Sequence, residues 1–484
     1  MNRNNRDNLA MIRFISDEGI DKIHESTLTA LDEIGIKILH EGGLALLADA
    51  GAKVDHKTKI VKISPDLVEK CLATVPSQFL MAGREEKNDI FLEAGKVYGR
   101  NGGGPGSIVD IDSGEVRYVT EKDVRDYAKL VDAMDHIEIV APVYAHEMAG
   151  NTRDIRVLKA LFESTSKHIN MRLLNMHSLP YVMRMAEAVA GSKEALRQRP
   201  VITMLESPIA PLKIPDVLVE TLLACGEYGV PLEICSMPIT GATGPITLAG
   251  SLLMNNIETV TSMVISQLAH PGAPLIYTPR IMVMDMTTGY SLTGSMENAM
   301  LAAAAVQLAR EAYNMPVNMH GPYTDSQTSD AQAGIENTYF TILSGLAGAN
   351  ILTGAGHLAG GLIISFAQLL MDNELMGIAK RSMEEFVVND ETLGLDAIAR
   401  SISTDNLLSD KHTRKHLRSS NRYFPKLLTR EARDKWKSLG SLTMADRATI
   451  AARELLESHQ VTPLSGEISK ALEEIVAEAS AKLD

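Results

Sequence analysis

Short apolar runs begin near Val97, Ile139, His168, Val201, Leu232, Leu275, Val317 and Asn350, separated by 42, 29, 33, 31, 43, 42 and 33 residues. Helical patterns fill the gaps over 121–134, 152–163, 180–190, 215–228, 247–268, 295–312, 331–347 and 361–378. Parallel strands cannot be joined by a tight turn, so each needs a helical crossover. Eight strands, each followed by a helix at this spacing, predict a (β/α)8 TIM barrel, an α/β fold whose chemistry sits on the loops after the strands. A doubly wound open sheet is the competing arrangement. The glycine-rich turn at 102–106 (GGGPG) lacks the GxGxxG spacing and runs into another β-like piece at 107–111, so it carries no dinucleotide fingerprint.

The flanks read differently. Ser16 is a natural N-cap for an amphipathic helix closed by Gly35, and further helices over 41–50 and from Pro65 to about Thr74 surround a short strand at 61–63. The expected organisation is a small N-terminal α+β cap (1–95), the barrel (96–380) and a C-terminal helical region (381–484). That last region holds helices over 444–457 and 466–482. It also holds a basic stretch from Lys411 to Lys437, where ten Lys or Arg face two Asp or Glu. The whole chain carries a net charge of −14, which argues against general nucleic-acid binding. No apolar run reaches the 18 or so residues of a membrane span, and MNRNNRDNLA has no apolar secretion core. Cys71, Cys225 and Cys235 form no metal or redox spacing, so a reduced cytoplasmic setting is expected.

Residues just after the strands should line the barrel mouth. They are Arg100, Tyr144 with Glu147, Glu206, Tyr277 with Arg280, His320 with Tyr323, and His357. Together they describe a polar, partly aromatic pocket. There is no GxSxG elbow, P-loop or HExxH. His412 and His416 stand four apart on a helix, but four cations crowd them and no third ligand is evident, so no metal is expected.

Several stretches resemble the trimethylamine methyltransferase superfamily, in the branch that lacks pyrrolysine and includes glycine betaine methyltransferases. They are 15–52, the 102–106 turn with DIDSGEVR at 110–117, MPITGATGPITLAG at 237–250, DSQTSDAQ at 325–332, GAGH at 354–357, DNE at 372–374 and HTRKH at 412–416. All 484 positions are standard residues. The resemblance implies a (β/α)8 barrel that transfers a methyl group from a quaternary amine, glycine betaine above others, to Co(I) of a corrinoid (cobalamin) held by a separate corrinoid protein, with release of dimethylglycine.

A quaternary ammonium leaves as a neutral amine, so the absence of an acid–base triad fits. On this reading Tyr144, Tyr277, His320, Tyr323 and His357 surround the cation and Glu147 and Glu206 add charge attraction. Arg280 or Arg100 takes the carboxylate. The basic 411–437 stretch is a candidate dock for the corrinoid protein, and a homo-oligomer is expected. The alternatives are a non-catalytic quaternary-amine-binding protein and a metal-dependent TIM-barrel hydrolase or lyase.

Overall fold

A computed structural model describes residues 12–148, 150–418 and 423–484. The N-terminal stretch read for a secretion core lies outside these residues, as does part of the basic segment (419–422).

Eight parallel strands follow one another around a ring: β1 (Tyr98–Asn101), β2 (Ile139–Val140), β3 (His168–Arg172), β4 (Ile202–Glu206), β5 (Leu232–Ile234), β6 (Leu275–Tyr277), β7 (Asn318–His320) and β8 (Ile351–Ala355). β8 pairs back onto β1, and a parallel bridge between Tyr277 and Val317 closes the seam between β6 and β7. The fold is therefore a nearly closed barrel, and every strand begins within one residue of the position expected from spacing.

Its crossover helices are α1 (Glu121–Asp132), α2 (Arg153–Ser164), α3 (Leu179–Ala190), α4 (Asp216–Tyr228), α5 (Leu248–Ala269), α6 (Met296–Tyr313), α7 (Ala331–Leu346) and α8 (Phe366–Ser382). Side chains at the helix starts fix where they begin. Thr120 and Asp123 form a capping box for α1, and Ser295, Asp330 and Ser365 each accept an amide hydrogen bond at α6, α7 and α8. α8 starts five residues later than expected. Gly360 and Gly361 adopt positive φ (64° and 82°), and Ile363–Ser365 instead pairs as a strand with Ser107–Val109.

The bottom of the barrel, at the strand N-termini, is stoppered. A hairpin of Phe79–Met81 and Ile90–Leu92 lays Met81, Ile90 and Leu92 against Ile139, Ile276 and Ile351. The remaining N-terminal elements cover the flank. Asp17–Thr29 packs on α5 and α6, and Pro65–Leu72 packs on α5. A four-stranded sheet joins Ile36–Ile38, Ile60–Lys62 and Lys53–Asp55 to Lys213–Ile214, a strand lent by the loop after β4. At the other end of the chain, Met444–Ser458 packs on α8 and α1, and Gly466–Leu483 on α3 and α2. Among the described residues no helix is long and apolar enough to cross a membrane.

Truncating Ile276 to Ala leaves a void between the stopper and the ring. The expected loss is about 2–5 kcal/mol of unfolding free energy in urea titrations, with the denaturant slope unchanged.

Candidate functional site

Side chains alternate across a strand, so each strand sends every second residue inward. In this barrel one inward layer is polar. It takes Arg100 from β1, Asn170 from β3, Glu233 from β5 and Asn318 from β7, all buried. That is one residue from each alternate strand, the layer geometry of such barrels.

Glu233 accepts from Arg100 Nη1 at 3.0 Å and from Asn318 Nδ2 at 2.8 Å. Arg100 Nη1 also donates to Asn170 Oδ1 at 2.6 Å. Asn318 Oδ1 in turn accepts from Arg280 Nη2 and from Thr353 Oγ1, both at 2.8 Å. Arg280 Nη1 donates to the Asn318 carbonyl at 2.9 Å.

Above this layer stands an aromatic and imidazole wall. The His320 and Tyr323 rings stack at 4.0 Å between centroids, and Tyr323 meets His357 edge-on at 5.5 Å. The Tyr323 hydroxyl donates to the Gly360 carbonyl at 3.1 Å. Glycine is required at 102 and 361, because a Cβ there would collide with the His357 ring and with the Tyr323 hydroxyl respectively. Arg172, one inward step above Asn170 on β3, is exposed.

The electrostatics are lopsided. Two arginines are buried with one carboxylate. Burial and the neighbouring Arg280, His357 and Arg100 drive the His320 pKa well below its ordinary value, and burial with the Arg100 charge pushes His357 down to about 3. Both imidazoles are therefore neutral at pH 7. Arg280 is itself lowered by burial but stays charged. Arg100 Nε, Asn170 Nδ2, His320 Nδ1 and both ring nitrogens of His357 are buried without a hydrogen-bond partner among the described residues. Unpaired buried donors next to excess positive charge are the groups that an anionic, hydrogen-bond-accepting ligand would satisfy.

Five of the nine residues expected at the mouth come together here: Arg100, Arg280, His320, Tyr323 and His357. The other four do not join them. Tyr277 lies on the outward side of β6, where its hydroxyl donates to Asn255 (3.0 Å) and Asn256 (2.9 Å) of α5. Glu147 is exposed and accepts from the Glu121 amide at the start of α1, a helix-capping role. Glu206 pairs in register with Ile234 on the helix-facing side. Its carboxyl accepts from the Leu173 amide, and burial pushes its pKa up to about 7. Tyr144 is buried and its hydroxyl donates to the Arg172 carbonyl at 3.1 Å.

The residues missed were Asn170, Glu233, Asn318 and Thr353. The available signal was a polar side chain at an inward position inside an otherwise apolar strand.

The polar motifs around the mouth support it without lining it. Asp325 accepts from the Thr293 and Gly294 amides, and Glu336 accepts from the Asp325 amide at 2.9 Å. Asp372 holds the loop that carries His357. It accepts from the Gly356 amide, Asn337 Nδ2 and Gln368 Nε2 at 2.8–2.9 Å, and burial raises its pKa to about 7. The expected dock at 411–437 follows the end of α8, whose last turn is held just ahead of β2 by Lys380 pairing with Glu138, and Lys426 within it pairs with Asp135. Among the described residues no three His, Cys, Asp or Glu side chains converge as a metal ligand set would.

The model of the trimethylamine methyltransferase (MTTB) family matches residues 1–484. A trimethylamine methyltransferase MttB of Desulfitobacterium hafniense is 36% identical over 464 residues, covering 96% of this chain and 93% of that protein. One from Methanosarcina barkeri is 32% identical, covering 87% and 86%. A glycine betaine methyltransferase of Desulfitobacterium hafniense is 28% identical, covering 97% and 98%. Among solved structures, a hydroxylamine complex of MtmB superposes with a TM-score of 0.50 at 14% identity, covering 92% of this chain and 93% of that one, a likeness of fold.

Two substitutions test this geometry. Tyr277→Phe leaves Asn255 and Asn256 without a donor and should cost about 1–3 kcal/mol of stability, while leaving ligand affinity at the mouth unchanged by calorimetry. Asp372 is protonated when folded and ionised when unfolded between its unfolded value near 4 and its folded value of about 7. Its contribution to stability should therefore fall as pH rises from 4 to 7 and stay flat above, by up to ~1.4 kcal/mol per pH unit. Asp372→Asn should remove that slope in urea titrations run at pH 5, 6, 7 and 8.

Proposed function

We propose that this chain, which belongs to the trimethylamine methyltransferase (MTTB) family in its branch without pyrrolysine, transfers a methyl group from a carboxylate-bearing quaternary amine, glycine betaine above others, to Co(I) of a corrinoid carried by a partner protein. The observation that carries the reading is the layer of Arg100 and Arg280 around the single carboxylate of Glu233, beneath a wall of neutral imidazoles and a phenol. A bare cation would be repelled by that floor. A zwitterion suits it.

The carboxylate goes down, to the free donors of Arg100 and Asn170 and to Arg280. The trimethylammonium then stands higher, against the aromatic wall of Tyr323, His320 and His357, where an open ring face attracts a cation by ~0.5–2 kcal/mol. That orientation turns an N-methyl group toward the open end of the barrel. Tyr323 is kept a neutral phenol, since burial pushes its pKa up to about 12.

A reduced corrinoid supplies the nucleophile when its carrier docks. The carbon–nitrogen bond breaks with its electron pair left on nitrogen, so a neutral tertiary amine, dimethylglycine, departs and no proton is moved. The protein's share is positioning for in-line attack. This accounts for a site of buried, hydrogen-bonded or neutral groups without an acid–base pair. A tertiary amine such as trimethylamine lacks the positive nitrogen that makes this leaving group good.

The rim of the mouth supports the partner. Leu174, Met176, Ile246, Met286, Tyr290 and Leu362, from the loops after β3, β5, β6 and β8, are 40–74% exposed. Apolar side chains gathered around one opening mark an interaction surface. A tetrapyrrole and its carrier are of the right size and apolarity for it. We further propose that the enzyme works as a homo-oligomer.

The test mixes the protein with Co(I) cobalamin and a panel of amines and follows the absorbance change to methyl-Co(III). Glycine betaine should be turned over and trimethylamine should not. Faster turnover of choline than of any carboxylate-bearing amine would overturn the reading. Arg280→Met should raise KM for glycine betaine at least tenfold, and a variant with unchanged KM would remove Arg280 from carboxylate binding.

A further inference from the structure

Between the end of α8 and the return of the chain at Tyr423 lies an arm of three short helices: Asp390–Leu393, Leu395–Thr404 and Lys411–His416. It is folded on itself. Asn389 caps the first helix and Asp410 the third. Arg400 grips Asp410 through two hydrogen bonds of 2.8 Å, and Lys415 pairs with Glu391.

Yet it has almost no core. Among residues 384–418, Ala397 is the one fully buried side chain. Leu395, Ile398 and Ile402, spaced three and four apart, line one helix face and are 68%, 55% and 85% exposed. Phe386 and Leu408 are 73% and 85% exposed.

Fixing a backbone costs about 1–2 kcal/mol per residue, and one buried alanine offsets little of that. Nine large apolar side chains in this arm are at least half exposed. Summed over the arm they present on the order of 1,000 Å² of apolar surface, close to the ~800 Å² each partner contributes to a stable interface.

The arm's position narrows what covers it. Both of its ends are anchored away from the mouth. Lys380 donates to the His136 carbonyl and pairs with Glu138, just ahead of β2. Met383 lies against Gly345 at the end of α7. On the return, Lys426 pairs with Asp135 at 2.6 Å. A partner that must reach the strand C-termini gains nothing from a surface at the stoppered end. Acidic and basic residues nearly balance across 384–418, seven against five, so apolar burial rather than charge directs the contact.

We infer that the arm 384–418 is a self-association element that docks through Leu395, Ile398 and Ile402 on a second copy of this chain, with both arms covered by one two-fold operation. Both mouths then stay open for the partner. The inference gives the proposed homo-oligomer its surface; only its exclusion of a partner docking at the mouth rests on the proposed reaction.

The experiment is light scattering on the full-length protein at 10–100 μM, wild type against Ile398→Glu/Ile402→Glu, with circular dichroism melts alongside. Wild type should have at least twice the 52.5 kDa chain mass. The double variant should fall to a smaller assembly, with its melting temperature measured on the dilute monomer unchanged, since both side chains face solvent in a single chain. Hydrogen exchange adds a second readout. Amides of 395–404 should be protected at high protein concentration in wild type and exchange at least tenfold faster in the variant. A monomeric wild type, a double variant of wild-type mass, or 395–404 exchange that ignores concentration would each overturn the inference.

Discussion

A guanidinium and a carboxylate inside a closed barrel are costly to desolvate, and the Arg100–Glu233 pair is tolerated only because its neighbours complete it. Asn170 accepts from the guanidinium and Asn318 donates to the carboxylate, and Asn318 passes the connection on to Arg280 and Thr353. Five strands are thereby tied together, four of them through one polar layer and the fifth through Thr353. Removing either charge would strand the other in a low-dielectric interior, which costs about 3–5 kcal/mol in comparable cases. The layer is thus a structural girdle and, through the donors it leaves free, the floor of the proposed pocket.

The rest of the mouth is held by groups that never reach the pocket. Asp372 fixes the Gly356 amide and with it the loop that presents His357. Asp325 and Glu336 clamp neighbouring loops, and Asp330 starts α7. The barrel ring sets where the loops begin, and this outer set of carboxylates sets where they go. A small rigid pocket needs such support, since misplacement by an ångström loses orientation.

Much of this was legible in the sequence. The eight strand starts could be placed because parallel strands and their helices impose a spacing that few other folds share. Domain limits are a softer matter, since the N-terminal sheet borrows Lys213–Ile214 from a barrel loop. Within the candidate site, residues at or just after the strand ends, such as His320 and Tyr323, follow from position alone. Tyr277 does not, because parity decides whether a strand residue faces the ring or the helices. Ile276 faces in, so its neighbour faces out. Glu233 was invisible for a different reason: a lone acidic residue in Leu232–Ile234 looks like an ordinary edge-strand polar group until the ring closes around it. The apolar stretch after Gly361 reads as helix, but two glycines at positive φ and a pairing partner 256 residues earlier make it strand. Local periodicity cannot register a partner that distant.

The hairpin that seals the lower end leaves the barrel with a single doorway. For the proposed reaction the small amine and the bulky carrier must then use the same threshold in turn. The amine enters first, the carrier closes over it, and the demethylated product waits until the carrier lifts. Turnover becomes a compulsory-order cycle, and excess carrier should behave as an inhibitor of amine entry, a kinetic signature written into the architecture by three apolar side chains at the far end.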